Sequence, residues 1–444
     1  MKKISKRRKF LKYSLAGLTL AGFPNVLLSN DNNDYDVVVI GAGAAGLSAT
    51  KTLIENGRKV LCLESSSVIG GRAITDNSLF NEPYDLGALW IENGEFNPFK
   101  KYGEDNGYNL YKERAEEYYE VYNKNKIAKD EDDLWKIYDG AEAEIAINAE
   151  KDIAPFDVAP DKKESWFNTS HMIIGPWEMG KNFTNYSCQD YMYDYGVEEG
   201  STWHCKEGFG TLVNQYFKGV PVSLNTKVLE IDWSGKKVLI KTNKGSIKSN
   251  KCIITVSNGV LSSGGLKFSP SLGVDKETSF SQISMGHYNR IAFKFKKLFK
   301  DYEEDNYVYY KINNDDPKEP KGVGITINPS KSNLCICDVG GNFGKELANS
   351  GKEAAIDFAF NELKKIFGNR IEKDLIGSHF ADWTNNSNIL GGWASAEPGY
   401  FKYREILRQP VADKIYFAGE ACAKEWGTVA GAYKNGAEIA KILS

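Results

Sequence analysis

Histidine is scarce in this chain. Only four occur, at positions 171, 204, 287 and 379, and their spacing suits no metal site, which counts against metal catalysis and against a histidine-centred triad. Cysteine is odd in number and scattered, with seven residues at 62, 188, 205, 252, 335, 337 and 422. Cys335 and Cys337 fall in an apolar run that reads as a strand, where i and i+2 share a face. Packing is the role expected of them. Basic charge is missing from most of the chain. Residues 1–12 hold seven of the 56 basic residues and no acid, leaving 49 against 59 acidic ones and a charge of about −10 beyond that segment. A nucleic-acid surface would need the opposite sign, whereas a cationic substrate is compatible with it.

Long apolar runs are also missing after residue 28. The one early run, Tyr13 to Leu28, is interrupted by glycine and Pro24 and is short of the roughly 20 residues a membrane span needs. Its basic flank, Ser5 to Lys12 with Arg7 and Arg8 paired before Phe10, resembles a bacterial twin-arginine signal. Residues 1–33 are therefore expected to act as an export segment, with a periplasmic or exported destination. No small-residue cleavage site is evident at 25–32, so an uncleaved segment would anchor the protein to the inner membrane.

What is present begins at Asp36. Asp36–Ile40 is a run of β-branched residues suited to a buried parallel strand. Gly41, Gly43 and Gly46 follow in the order G-x-G-x-x-G, and a helix is expected from about Ala45 with Gly57 ending it. Lys59–Glu64 supplies the next strand and completes a βαβ unit. Gly41 permits the tight turn, Gly43 lets backbone approach a pyrophosphate, and Gly46 lets helix and strand pack closely. The helix N-terminus faces the phosphates, and Glu64 is placed to accept hydrogen bonds from a ribose. Further strands are expected at 227–233, 237–242, 251–256, 290–295 and 414–418. A capping box at Ser350 and Glu353 predicts a helix that Gly368 stops, and Val429–Leu443 reads as the last helix. The stretch 95–200, rich in tyrosine and acid, has no clear period.

The glycine turn alone does not separate NAD from FAD. The blocks Gly70-Gly71-Arg72, Tyr84 to Ala88, and Ile415 to Glu420 do: together with the turn they resemble the flavin-containing amine oxidase family, from about residue 34 to the end. The resemblance implies an α/β fold, with a Rossmann-type FAD-binding domain built from discontinuous segments (34–94, 201–284 and 396–444) and an inserted α+β substrate-binding domain (95–200 and 285–395). It implies noncovalent FAD, because Gly392 stands where the covalently flavinylated members have cysteine. The implied FAD contacts are Gly41, Gly43, Ala45, Gly46, Glu64, Gly70, Gly71, Arg72, Gly87, Ala88, Leu89, Trp90, Val228 (through its backbone, to the adenine), Gly419, Glu420, Thr428 and Val429.

The chemistry the family implies is hydride transfer from an amine C–H to flavin N5, which needs no protein nucleophile and no metal. Trp393, in Gly391–Ser395, matches the aromatic residue beside the flavin, and Trp383 matches a tryptophan upstream of it. Glu92, in Trp90–Gly94, resembles a substrate-facing carboxylate of plant-type polyamine oxidases. Asp190, Asp194, Glu198 and Glu199 lie where that subgroup has another. Arg290 stands where the family normally has the lysine that holds a water next to flavin N5. Arginine is bulkier and planar, so an altered reaction with dioxygen is expected, with another electron acceptor as the consequence. The implied function is oxidation of an amine, with polyamines preferred. An L-amino-acid oxidase or tryptophan 2-monooxygenase-like enzyme would instead use Arg290 for the substrate carboxylate. The reading of a different class is a non-catalytic amine-binding flavoprotein. Partners would be the amine, oxygen or another acceptor, and the twin-arginine export machinery.

Overall fold

The structure is a computed structural model that describes residues 34–113, 119–195, 200–297, 299–300, 302–313 and 316–444. The expected export segment at 1–33 lies outside these residues. No helix among the described residues is long and apolar enough to cross a membrane.

The β-branched run folds as the strand Tyr35–Ile40, pairing in parallel with Val60–Leu63 on one side and with Gly245–Ile254 on the other. Period-two alternation divides its side chains between two layers. Val37 and Val39 enter a core with Leu47, Ala49 and Leu53 of the helix Ala44–Glu55, while Val38 and Ile40 enter a second core on the other face of the sheet. Eight strands make up this sheet. Its central parallel strands, Val222–Ser223 and Ile415–Phe417 included, carry the βαβ geometry, and the expected hairpin Val228–Asp232 with Val238–Thr242 extends it in antiparallel fashion.

A seven-stranded, mainly antiparallel sheet runs in the order Leu375–Ala381, Tyr288–Phe295, Leu334–Gly340, Gly324–Ile327, Asn306–Tyr310, Tyr119–Asn123, Lys126–Ile127. The helices Glu131–Ile147 and Lys352–Phe367 pack on it in one large aromatic core. Cys335 and Cys337 are buried there as free thiols. The mixed α/β architecture is the expected one.

Two local expectations need correction. Residues 98–113, assigned to the substrate domain by position, pack with the first sheet: Phe99 meets Phe209, Phe217 and Tyr433 edge-on, and Leu110–Lys112 pairs with Trp203–Cys205. Ser350 does not cap a helix, because it is the last residue of Gly341–Ser350 and its hydroxyl donates back to the Glu346 carbonyl. Gly351, at φ +96°, breaks the chain there and Lys352 starts the next helix.

Candidate active site

The glycine turn opens onto a cavity of about 760 Å³ that passes from the first sheet to the second. Gly43 precedes the helix without a side-chain cap, so the N–H groups of the first turn have no acceptor within the helix. Gly41 (φ +103°) makes the turn, and a Cβ at Gly46 would stand 1.9 Å from the Gly41 carbonyl oxygen. Gly46 does not line the cavity; its absent side chain lets helix and strand close on each other. The C-terminal helix Val429–Ile442 crosses this helix at Gly436, whose Cβ would lie 2.1 Å from the Ala45 carbonyl oxygen. Gly436→Ala is therefore expected to cost about 1–3 kcal/mol of overpacking and to shift the turn that faces the phosphates. The denaturation midpoint and the FAD-to-protein ratio check this.

Around the turn the expected FAD residues converge. Gly41, Gly43, Ala45, Glu64, Gly70, Gly71 and Arg72 all line the cavity. Glu64 accepts from the Ala42 N–H at 2.7 Å and the Ser66 N–H at 2.8 Å, which fixes its carboxylate at the strand end with lone pairs to spare. Gly71 (φ +61°) faces Gly43, and a Cβ on it would sit 3.3 Å from the Gly43 Cα, so two bare backbone segments form one wall. Gly87, Ala88, Leu89 and Trp90 line the next stretch. From the far end of the chain come Gly419, Glu420, Thr428 and Val429. Arg72 joins the two ends: its Nη1 donates to Glu420 Oε1 at 3.0 Å and to the Gly392 carbonyl. Thr428 caps the last helix through Gly431 N–H at 2.8 Å.

Val228, like Gly46, stands outside the cavity wall. Its side chain is buried in the core under the sheet and its backbone sits opposite Thr242 in the ladder. The approach to Glu64 is made by its neighbours, with Thr226 N–H on the Glu64 carbonyl at 2.7 Å and Asn225 N–H on the Ser66 carbonyl at 2.9 Å.

These residues fit FAD. A glycine-lined wall, an uncapped helix start and an anchored carboxylate suit phosphates and a ribose, and the cavity continues for a flavin beyond Arg72. Gly392 lines it and no cysteine does, so no thiol stands ready for covalent attachment.

Where the second sheet takes over, the walls turn aromatic. Trp393 stacks obliquely on Tyr288, with centroids 4.9 Å apart. Trp383 is buried and donates to the Leu86 carbonyl at 2.8 Å, and both tryptophans line the cavity. Arg290 lines it too, but is otherwise employed than expected. Its Nε and Nη2 bond the two Asp338 oxygens at 2.8 and 3.1 Å, and its Nη1 bonds the carbonyls of Asp85 and Gly87 at 2.9 and 2.7 Å. Four of the five guanidinium donors are thus consumed, and 2% of the residue is exposed. Arg290 ties the second sheet to the segment 85–87, a positioning role.

Glu92 lines the cavity as expected. Asp190 does not: it is fully buried, paired with both Nε and Nη2 of Arg404 and accepting from Ala396 N–H at 2.7 Å. Glu198, Glu199 and the side chain of Asp194 lie outside the described residues.

One carboxyl was missed in the sequence. After Phe167–Met172 the helix widens into a π-helical turn, Ile173–Trp177, a distortion common at functional sites. It carries Trp177 and Glu178 into the cavity wall. Room for it comes from two glycines of the second sheet, since a Cβ at Gly340 would meet the Pro176 carbonyl oxygen at 1.8 Å and one at Gly324 the Trp177 ring at 2.4 Å. The Glu178 side chain is exposed and lines the cavity. Burial, and then the neighbouring Glu142, push its pKa up to about 8. Tyr138 links the two carboxyls, at 3.3 Å from Glu178 and 3.2 Å from Glu142.

Comparison with known proteins agrees with this geometry. A model of the family described as flavin containing amine oxidoreductase matches residues 44–443. Polyamine oxidase 3 of Oryza sativa subsp. japonica is 27% identical over 448 residues, covering 90% of this chain and 87% of that protein. Lysine-specific histone demethylase 2 of Homo sapiens is 23% identical, over 96% of this chain and 56% of its own. Wild-type putrescine oxidase bound to putrescine shares the fold, with a TM-score of 0.74 and 16% identity over 93% of this chain and 99% of its own. The chain belongs to the flavin-containing amine oxidoreductase family.

Proposed function

We propose that the amine this enzyme oxidises is a diamine or polyamine, bound with a second ammonium against Glu178. FAD, which the residues around Gly41–Gly43, Gly70–Arg72 and Glu420 would hold, would supply hydride acceptance from the amine C–H, the product imine being hydrolysed to an aldehyde plus amine or ammonia, with H2O2 where oxygen is the acceptor. The protein's own contribution is to bind, orient and dehydrate. Trp393 and Tyr288 offer aromatic faces to an alkylamine. Trp177, Tyr307 and Tyr309 surround the cavity on the side of Glu178.

The observation that carries the reading is the Glu178 carboxyl in the cavity wall, linked through Tyr138 to a second acid, Glu142. An empty site keeps it largely protonated at neutral pH. An arriving ammonium makes ionisation favourable and gains a charge-assisted hydrogen bond. Glu92 adds a further carboxyl to the same cavity. An amino-acid substrate would need a cation for its carboxylate. The cavity's arginines are Arg72, paired with Glu420, and Arg290, paired with Asp338, and no described lysine or histidine lines it.

The test compares putrescine with n-butylamine, which lacks the distal ammonium. Under anaerobic conditions the apparent Kd for butylamine should be weaker by about 10-fold or more, the worth of a hydrogen bond to a charged group. Equal affinities would remove the diamine reading and leave a monoamine oxidase.

The sequence at 5–12 supports a second element, export by the twin-arginine route to the periplasm. Replacing Arg7 and Arg8 with lysine should trap the protein in the cytoplasm. Unchanged fractionation would reject this.

A further inference from the structure

We infer that Tyr307, Glu113 and His204 form the path by which the substrate ammonium loses its proton before oxidation, with Asp305 and Tyr111 as its outlet. This rests on the amine-oxidising reading of the cavity and names residues that reading does not use. An ammonium nitrogen has no lone pair to support loss of hydride from its carbon, so one proton has to leave an enclosed site.

Tyr307 lines the cavity. Its hydroxyl donates to Glu113 Oε1 at 2.8 Å, and Trp90 Nε1 reaches the same oxygen at 3.2 Å and the Tyr307 hydroxyl at 3.1 Å. Behind Glu113 stands His204, only 1% exposed, with Nε2 3.0 Å from Oε1. Its other nitrogen lies 3.7 Å from Asp305 Oδ1 and 3.4 Å from Ser330 Oγ. Asp305 accepts from the Tyr111 hydroxyl. The Tyr111 ring stacks on His204 with centroids 5.4 Å apart and lies under Lys331, whose side chain reaches the surface. The charged and titratable groups facing His204 are therefore Glu113, Asp305, Tyr111 and, at longer range, Asp85. Four separate chain segments meet to bury one imidazole between two carboxylates.

Burial alone would lower the His204 pKa, but Glu113 and Asp305 more than offset it and hold it above the ordinary value. Burial also raises Asp305, which suits it to take a proton. In the proposed step the ammonium N–H bond breaks and its proton goes to the Tyr307 oxygen, as the Tyr307 O–H bond breaks towards Glu113. His204, protonated on both nitrogens in this step, then gives its Nδ1 proton to Asp305, directly after a small closure of the 3.7 Å contact or through Ser330. Solvent takes that proton past Tyr111. The neutral ring then turns its bare Nδ1 to Glu113 and takes the proton held there, so no electrons move, one proton leaves the cavity, and Glu113 and His204 both return to their starting protonation.

The experiment uses FAD-loaded protein, putrescine and a pH-indicator dye in weak buffer, followed anaerobically by stopped flow. In the wild type, proton release should keep pace with flavin bleaching. In His204→Gln and, separately, Tyr307→Phe, release should lag and bleaching should slow about 10-fold or more below pH 9, recovering as pH rises and the amine arrives neutral. The wild-type profile retained in both variants would overturn the proposal. A second readout needs no turnover. In protein carrying 15N-labelled histidine, the resonance missing from His204→Gln belongs to His204, and Tyr307→Phe should raise its pKa by removing a donor from Glu113. An unmoved pKa overturns the path. Failure of every amine to bleach the flavin would strike the oxidase reading instead.

Discussion

Glu178→Gln is expected to weaken putrescine binding by about 10- to 150-fold while leaving n-butylamine within about twofold, the loss of a hydrogen bond to a charged group. The pH dependence makes the test sharper. Below pH 8 the Glu178 carboxyl has to give up a proton before it can pair with an ammonium, which costs about 1.4 kcal/mol per pH unit. The preference for putrescine over butylamine should therefore grow by up to about tenfold per unit between pH 6 and 8 and level off above. Glutamine has no proton to lose, so the variant's preference should be flat. The same raised pKa sets a sign for stability. The folded protein keeps this proton after the unfolded chain has released it, so the free enzyme loses stability as pH rises from about 4.5 through 8, and Glu178→Gln removes that slope. Glu92→Gln, measured in parallel, shows whether one carboxyl or both hold the distal ammonium. A putrescine preference unchanged in Glu178→Gln would withdraw Glu178 from substrate binding.

The largest stability effect is expected at the Arg290–Asp338 pair. Both side chains are at most 2% exposed, and removing one partner of a buried pair strands a charge at a cost of about 3–5 kcal/mol. Asp338→Asn and Arg290→Met should each lower the denaturation free energy by that much. Arg290→Met should also lower FAD occupancy, because the 85–90 segment loses both bonds from Nη1. Arg290→Lys keeps the charge without the fork and should recover only part of the loss. The double variant Arg290→Met with Asp338→Leu, which leaves no charge unpaired, should be more stable than either single one, and the cycle gives the coupling directly. Additive single effects would mean that the two groups do not act as a pair.

The contrast between these two sites shows what was legible in the sequence. The glycine turn, Glu64 and the strand at Asp36–Ile40 are local: spacing and period carry their whole meaning, and the structure puts them where the spacing requires. Arg72 and Glu420 were found from opposite ends of the chain because each sits in its own recognisable block. Arg290 was visible, but its partner is 48 positions away on a neighbouring strand, and nothing in the local pattern announced that its donors were taken. Glu178 was invisible for another reason. A π-helical turn has neither the 3.6 nor the 2.0 period, and the Gly175-Pro176 step before it reads as a breaker. Gly324 and Gly340, which make space for that turn, carried no signal except absence of a side chain. His204 and Glu113 are brought together only by the pairing of Leu110–Lys112 with Trp203–Cys205, a long-range register. Val228 is of another kind: a backbone contact taken from resemblance does not depend on residue type, so the residue's identity carries no signal.

The central claim is that the cavity oxidises an amine and selects one with a second positive charge. Anaerobic mixing of the FAD-loaded protein with putrescine, spermidine, tyramine and L-tryptophan, following the flavin absorbance, tests it most directly. The account predicts complete bleaching by spermidine or putrescine, slower bleaching by tyramine, and none by L-tryptophan. Bleaching by L-tryptophan alone, or an oxidised flavin with all four, would contradict it.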